Sequence, residues 1–278
     1  MSFAQLCIYD LDSGAVQTVL KTDDHIEAPN WTLDGTALIV NADGLLYRVP
    51  LDAPTLTPVD TGFATGLNND HGISPDGKTL AISDKTEDGK SIIYTMPIGG
   101  GRPQRVTPNG PSYFHGWSPD GQTITYPAFR ASTGDTAQIY TIPATGGDEQ
   151  QITEGFDHCD GSDYTPDGKW IWFNGEKDGA VDLWRIHPDG TGLERMTDDA
   201  MVNWFPHPSP DGALVVYLAY PEGTEGHPFG RNVSLRLMPA DGGTPVILTE
   251  FFGGQGTINV PSWSPCSRKF AYVTYASK

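Results

Sequence analysis

A tetrapeptide, Ser-Pro-Asp-Gly or a near copy of it, returns six times along this 278-residue chain. It is intact at residues 74–77, 118–121 and 209–212, carries one change at 165–168, and drifts further at 32–35 and 264–267. The steps between copies are 42, 44, 47, 44 and 55 residues. A period of that size on segments with strand character is the period of a β-propeller in which each repeat is one blade.

The local sentence around each copy supports this. An aromatic or apolar residue commonly precedes the turn, as at Trp31, Ile73, Trp117, Tyr164 and Trp263, and a β-branched and aromatic run follows, as at 37–40, 80–83, 170–173 and 214–217. Asp-Gly between two such runs is a hairpin signal, because the turn needs backbone angles that Gly and Asp adopt cheaply. The repeated aspartates are therefore read as turn residues, not as catalytic acids. A third strand follows at 92–96, 138–142, 182–186 and 235–238, then a Gly-containing turn and a fourth strand ending in Thr107, Thr153, Thr197 or Thr249.

The chain starts out of phase. Residues 6–11 and 16–20 match strands three and four of a blade whose first two strands are supplied at 262–265 and 270–273. The expected architecture is all-β: a six-bladed β-propeller of four-stranded antiparallel blades, closed by pairing of N- and C-terminal strands in one split blade. Closure removes exposed sheet edges. The repeat fills residues 1–278, so a single domain is expected.

Three cysteines, Cys7, Cys159 and Cys266, have no paired spacing, which argues against a disulfide framework or a cysteine zinc site and for buried free thiols. No run approaches the roughly 18 apolar residues of a membrane span, so no membrane insertion is expected. A net charge of −18 excludes a basic nucleic-acid groove. Residues 1–6 show no basic-then-apolar leader, so the cytoplasm is the expected compartment, or the periplasm if a leader has been removed. A monomer is expected.

In a propeller the first strand of each blade runs along the central channel, so segments just upstream of the turns converge. The six residues before each pre-turn position make up 36 of 278 positions yet hold five of the seven histidines: His25, His71, His115, His158 and His207. Random scatter would put about one there. Together with Asp70, Asp160, Glu27 and Asn203, these imidazoles could bind a divalent metal, with His71, His115 and His158 as ligands, or move protons near neutral pH. Equally, a histidine copied with the repeat could bond loop backbone and serve structure alone. Tyr113, Phe114, Trp204 and Phe205 would supply apolar contact area at the mouth. The longest insertion, residues 221–232, carries His227 and Arg231, and Gln255 lies in a Gly-rich stretch that precedes a strand and so is no phosphate loop.

With the Trp-Ser-Pro-Asp-Gly turn at 117–121, the blade opening Val-Pro-Ser-Trp-Ser-Pro at 260–265 and the Gly-Gly…Leu-Thr ending at 242–249, the chain resembles the TolB-type propeller family over nearly its whole length. The resemblance implies six blades and a scaffold binding a protein segment or a small ligand at one mouth of the channel. The repeat also resembles that of oligogalacturonate lyases, which hold a metal through channel histidines and a glutamine. That likeness implies the alternative, a metal-dependent carbohydrate-active enzyme acting on an oligosaccharide through channel-mouth histidines. No Gly-x-Ser-x-Gly elbow occurs, so a serine hydrolase is not expected.

Overall fold

The structure, a computed structural model, describes residues 3–134 and 136–276. Six antiparallel sheets form the blades of a propeller. Blade 1 contains Ile26–Trp31, Ala37–Ala42, Leu45–Pro50 and Thr57–Pro58; blade 2 contains Leu67–Ile73, Thr79–Asp84, Ile92–Pro97 and Gln104–Arg105. Blade 3 is built from Gly116–Trp117, Thr123–Phe129, Ala137–Pro143 and Gln150–Gln151, and blade 4 from His158–Tyr164, Ile171–Lys177, Ala180–Ile186 and Glu194–Arg195. Blade 5 has Val202–Pro208, Leu214–Tyr220, Arg231–Pro239 and Val246–Gly253.

Blade 6 closes the ring. Ala4–Asp10 pairs with Val16–Thr22 on one side and with Lys269–Tyr275 on the other, Leu6 opposite Val273 and Tyr9 opposite Phe270. The innermost position is less regular than the repeat predicts. Residues 262–265 contribute a single bridge, Trp263 to Phe270, and the Ala271 N–H donates to Ser262 O at 2.9 Å.

The recurring turn has one chemical design. The Ser74 hydroxyl donates to Asp76 Oδ1 at 2.6 Å, the same oxygen accepts the Lys78 N–H at 3.0 Å, and Thr79 N–H donates back to Ser74 Oγ at 3.0 Å. Copies at Thr32/Asp34, Ser118/Asp120, Thr165/Asp167 and Ser209/Asp211 repeat the hydroxyl-to-carboxylate bond. These bonds, joined at Asp167 by a larger contribution from the Lys169 ammonium, hold the turn carboxyls below the usual range, Asp34 and Asp167 at about 2. In blade 6 Cys266 takes the aspartate's place, 3.3 Å from Ser264 Oγ, which explains why this thiol is exposed while Cys7 and Cys159 are buried.

Among the described residues the apolar core divides into six clusters, one for each interface between neighbouring blades. Second strands are buried on both faces, as in Ala37–Ala42, because each is covered by the blade before and the blade after. The blade-ending threonines extend the ladders: Thr107, Thr153 and Thr197 hydroxyls accept the N–H groups of Ile93, Ile139 and Leu183 at 3.0, 2.8 and 2.9 Å. No described helix is long and apolar enough to cross a membrane.

Candidate functional site

Four inner strands carry a β-bulge at the same depth, between Glu27 and Asn30, Leu67 and His71, Asp160 and Asp163, and Trp204 and His207. A bulge inserts residues without a partner and re-aims side chains. Ala28, Gly161 and Phe205 adopt positive φ there, at 53°, 61° and 56°. The strained residues are pinned: Ala28 N–H donates to Gly256 O at 2.7 Å and Phe205 N–H to Asn174 Oδ1 at 3.0 Å. At position 161 only glycine fits, because a Cβ would stand 2.5 Å from Asn174 Oδ1.

These bulges open a cavity of about 390 Å³ at one mouth of the channel. Its polar wall is Glu27, Asn68, Asn69, Asp70, His158, Asp160, His227, Gln255 and Asn259; its apolar wall is Tyr113, Pro127, Phe129 and Ala137. Asp160 is the hub. Its Oδ1 accepts from His115 Nε2 at 2.9 Å, and its Oδ2 lies 3.6 Å from His227 Nε2 and 3.9 Å from His158 Nε2. Burial alone would raise this carboxyl, but the surrounding imidazoles, His115 foremost, hold it well below the usual range. Burial likewise works against charge on His115 and His158, and Asp160 overrides it, raising both. His227 goes the other way, since burial outweighs Asp160 and its bond to Gln255.

Asp70 is different. Burial lifts it to about 7 against the pull of His115, with Asp160 and Glu27 adding to the rise. Burial also raises Glu27, partly offset by Asn69. A hydrogen-bond circuit crosses the mouth: Gln255 Oε1 meets His227 Nδ1 at 2.5 Å and accepts from Asn259 Nδ2 at 3.0 Å, Gln255 Nε2 donates to Asn69 Oδ1 at 3.4 Å, and Asn69 Nδ2 donates to Glu27 Oε1 at 3.2 Å.

The signature of the TolB beta propeller domain matches residues 115–227. An uncharacterized protein of Agrobacterium fabrum, Atu1656, is 48% identical over 269 residues, covering 96% of this chain and 91% of its own. The chain belongs to the TolB-like β-propeller family. A solved structure from Agrobacterium tumefaciens, provisionally designated TolB, superposes on this TolB-like propeller with a TM-score of 0.97 at 46% identity, covering 100% of both chains. The Tol-Pal system protein TolB of Francisella tularensis is 26% identical over 94% of this chain, and the match spans 59% of that protein's length. An oligogalacturonate lyase solved in complex with manganese shares the fold alone, with a TM-score of 0.59 and 16% identity over 90% of this chain and 75% of its own.

In this TolB-like propeller the residues singled out from sequence separate into two groups. His158, Asp160, Asp70, Tyr113, His227 and Gln255 line the cavity, and His115 stands directly behind Asp160. The other group lies elsewhere. His71 is fully buried, its nitrogens meet no partner in good hydrogen-bond geometry although backbone of Ile39, Asn69 and Ala28 is near, and burial pushes it down to about 4. That enclosed ring is not part of the His158, Asp160 and His227 cluster. His207 is sealed between Asp163 Oδ2 at 3.3 Å and Ile258 O at 2.7 Å. Asn203 donates to Thr197 and Asp199 at a blade interface. Phe114 packs in the core between blades 2 and 3, and Trp204 is buried with its ring 4.3 Å from that of His227, backing the wall instead of forming the mouth. Arg231 is exposed beside the long loop, outside the cavity.

Sequence reading did not single out Pro127, Phe129 or Asn259. Pro127 and Phe129 end a second strand and carry no chemical signature, so nothing in the repeat marks them. Asn259 lies among the six residues before Trp263 and holds the register of Asp160, but no chemical signature set it apart.

Proposed function

We propose that this TolB-like propeller is a binding scaffold whose channel-mouth cavity receives a small polar ligand or one side chain of a bound protein segment. The observation that carries this reading is the cavity itself. Carboxylates, amides and imidazoles from several blades converge on a concave space within the roughly 300–1,000 Å³ of small-ligand sites, with Tyr113 and Phe129 as apolar contact area. The Tol-Pal designation of the Francisella relatives supports a protein partner. A fragment and peptide screen by thermal shift tests it. Compounds that stabilise the wild type should lose that effect in the Tyr113→Ala, Phe129→Ala double variant, and equal stabilisation of both proteins would move the binding surface elsewhere.

A second reading is favoured by one specific geometry: ligand atoms of His158, Asp160 and His227 lie within 4.8 Å of one another. Two imidazoles and one carboxylate with the remaining positions facing a cavity suit a divalent transition metal. The outer contacts fit as well, because Gln255 holds His227 Nδ1 and His115 occupies Asp160 Oδ1, leaving Nε2 and Oδ2 for the ion. Such an ion would polarise a bound oxygen, and the chain's own groups would orient the substrate, as in a metal-dependent carbohydrate-active enzyme. Elemental analysis after loading with Mn²⁺, Zn²⁺ or Ni²⁺ should give about one ion per chain, lost in His227→Ala. Protein that retains no ion and leaves uronate oligosaccharides intact would remove this reading.

A further inference from the structure

We infer that the channel-mouth cavity selects a small organic cation, an alkylammonium or guanidinium group carried either by a free amine or by a Lys or Arg side chain of a bound segment. The inference rests on the cavity being the binding site and names the chemistry it accepts.

The first support is a charge imbalance. Glu27, Asp70 and Asp160 all face the space, and no Lys or Arg lines it. The nearby imidazoles gather on Asp160, His115 at 2.9 Å, His227 at 3.6 Å and His158 at 3.9 Å, while His25 stands 3.6 Å from Glu27 Oε1. Asp70 therefore keeps an unanswered oxygen. Its Oδ2 accepts from Asn68 Nδ2 at 2.6 Å, but Oδ1 stands 3.8 Å from His115 Nε2, beyond hydrogen-bonding reach, and no other described donor meets it. Asp70 is only 6% exposed, and the cavity wall is where that exposure lies. A buried carboxylate without a full set of donors is costly. A ligand that brings positive charge and N–H donors offsets that cost where no protein group does.

Glu27 repeats the pattern across the mouth. Its Oε1 accepts from Asn69 Nδ2 at 3.2 Å, and no described donor reaches Oε2. The rings of Tyr113 and Phe129 complete the enclosure, and aromatic faces attract a desolvated cation. An anionic ligand would instead meet the carboxyl groups of Asp70 and Glu27 in one confined space.

Calorimetric titration of the full chain with pentylammonium and agmatine, against pentanol and pentanoate as neutral and anionic analogues, tests the inference. Both cations should bind the wild type at least about tenfold more tightly than either analogue. Asp70→Asn and Glu27→Gln, near-isosteric changes whose folding is checked by thermal melts, should each weaken cation binding by about tenfold. A lysine-containing peptide that binds more tightly than pentylammonium would assign the cation to a protein segment, and the reverse order would assign it to a free amine; both results support the inference. Binding of a neutral or anionic ligand to the cavity as tight as that of the cations, or occupation by Mn²⁺ with no response to either amine, would overturn it while leaving the cavity as the site. Cation binding unchanged in Asp70→Asn, Glu27→Gln and Phe129→Ala would overturn both, since the site would then lie elsewhere.

Discussion

Histidines drawn from the same stretch of the repeat end in two different environments. His71 and His207 sit beyond the bulge of their inner strands and are fully buried, whereas His158 lies at the strand entrance before the bulge and opens on the cavity, joined there by His227 from the long loop. The same boundary separates the acids. Asp163 lies past the bulge and is answered by His207, while Asp70 and Asp160 precede or form it and face open space. The bulge thus divides a tier closed off inside the fold from a tier whose groups open on the cavity.

The largest expected effects come from breaking the sealed tier. His207→Ala takes the imidazole away from Asp163 Oδ2 and Ile258 O and breaks a buried ion pair, so it should cost about 3–5 kcal/mol in chemical denaturation. Phe114→Ala should cost a similar ~3–5 kcal/mol, because its ring fills the blade 2/3 interface and packs on Gly72. A loss under about 1 kcal/mol in either would erase the distinction between the tiers.

The boundary itself is tested by Gly161→Ala. A Cβ there meets Asn174 Oδ1 at 2.5 Å on a backbone of φ 61°, so a loss of about 1–3 kcal/mol is expected, with weakened ligand binding as Asp160 shifts.

Asp70→Asn sharpens the comparison from the open side through its pH dependence. The folded carboxyl is raised to about 7, above its value of about 4 in the unfolded chain. Between those values the unfolded chain releases a proton that the folded chain keeps, so wild-type stability from this group is present below pH ~4 and is lost as pH rises towards 7. The charges facing it, His115, Asp160 and Glu27, act in the folded state of both proteins. The variant should therefore gain on the wild type from pH 4 to 7 and hold a constant advantage above that. An advantage that is the same at pH 4 and pH 8 would show that Asp70 is ionised throughout. The smallest effect is expected for His158→Ala, within about 0.5–1 kcal/mol of wild type in stability.

The fold was readable because its signals are local. Ser74, Asp76 and the two backbone donors that bind them, Lys78 N–H and Thr79 N–H, lie within five residues of one another, so the turn writes itself into the sequence at every repeat. The split blade was visible as the phase of strands at residues 6–11 and 270–273, although residues 262–265 contribute a single bridge. The histidine enrichment pointed to the end of the channel where the cavity lies, yet only His158 of the three suggested metal ligands joins the cluster with Asp160 and His227.

Sequence by itself determined the number of blades, the closure of the ring and the structural role of the repeated aspartates, since each depends on contacts between near neighbours or on a period that any reader can count. Tertiary structure alone decided which polar residues are answered and which are left open. That choice turns on bulges a residue or two long, which change the direction of a side chain without changing the pattern, and on partners such as Gln255 and Asn69 that meet across the channel from 186 positions apart.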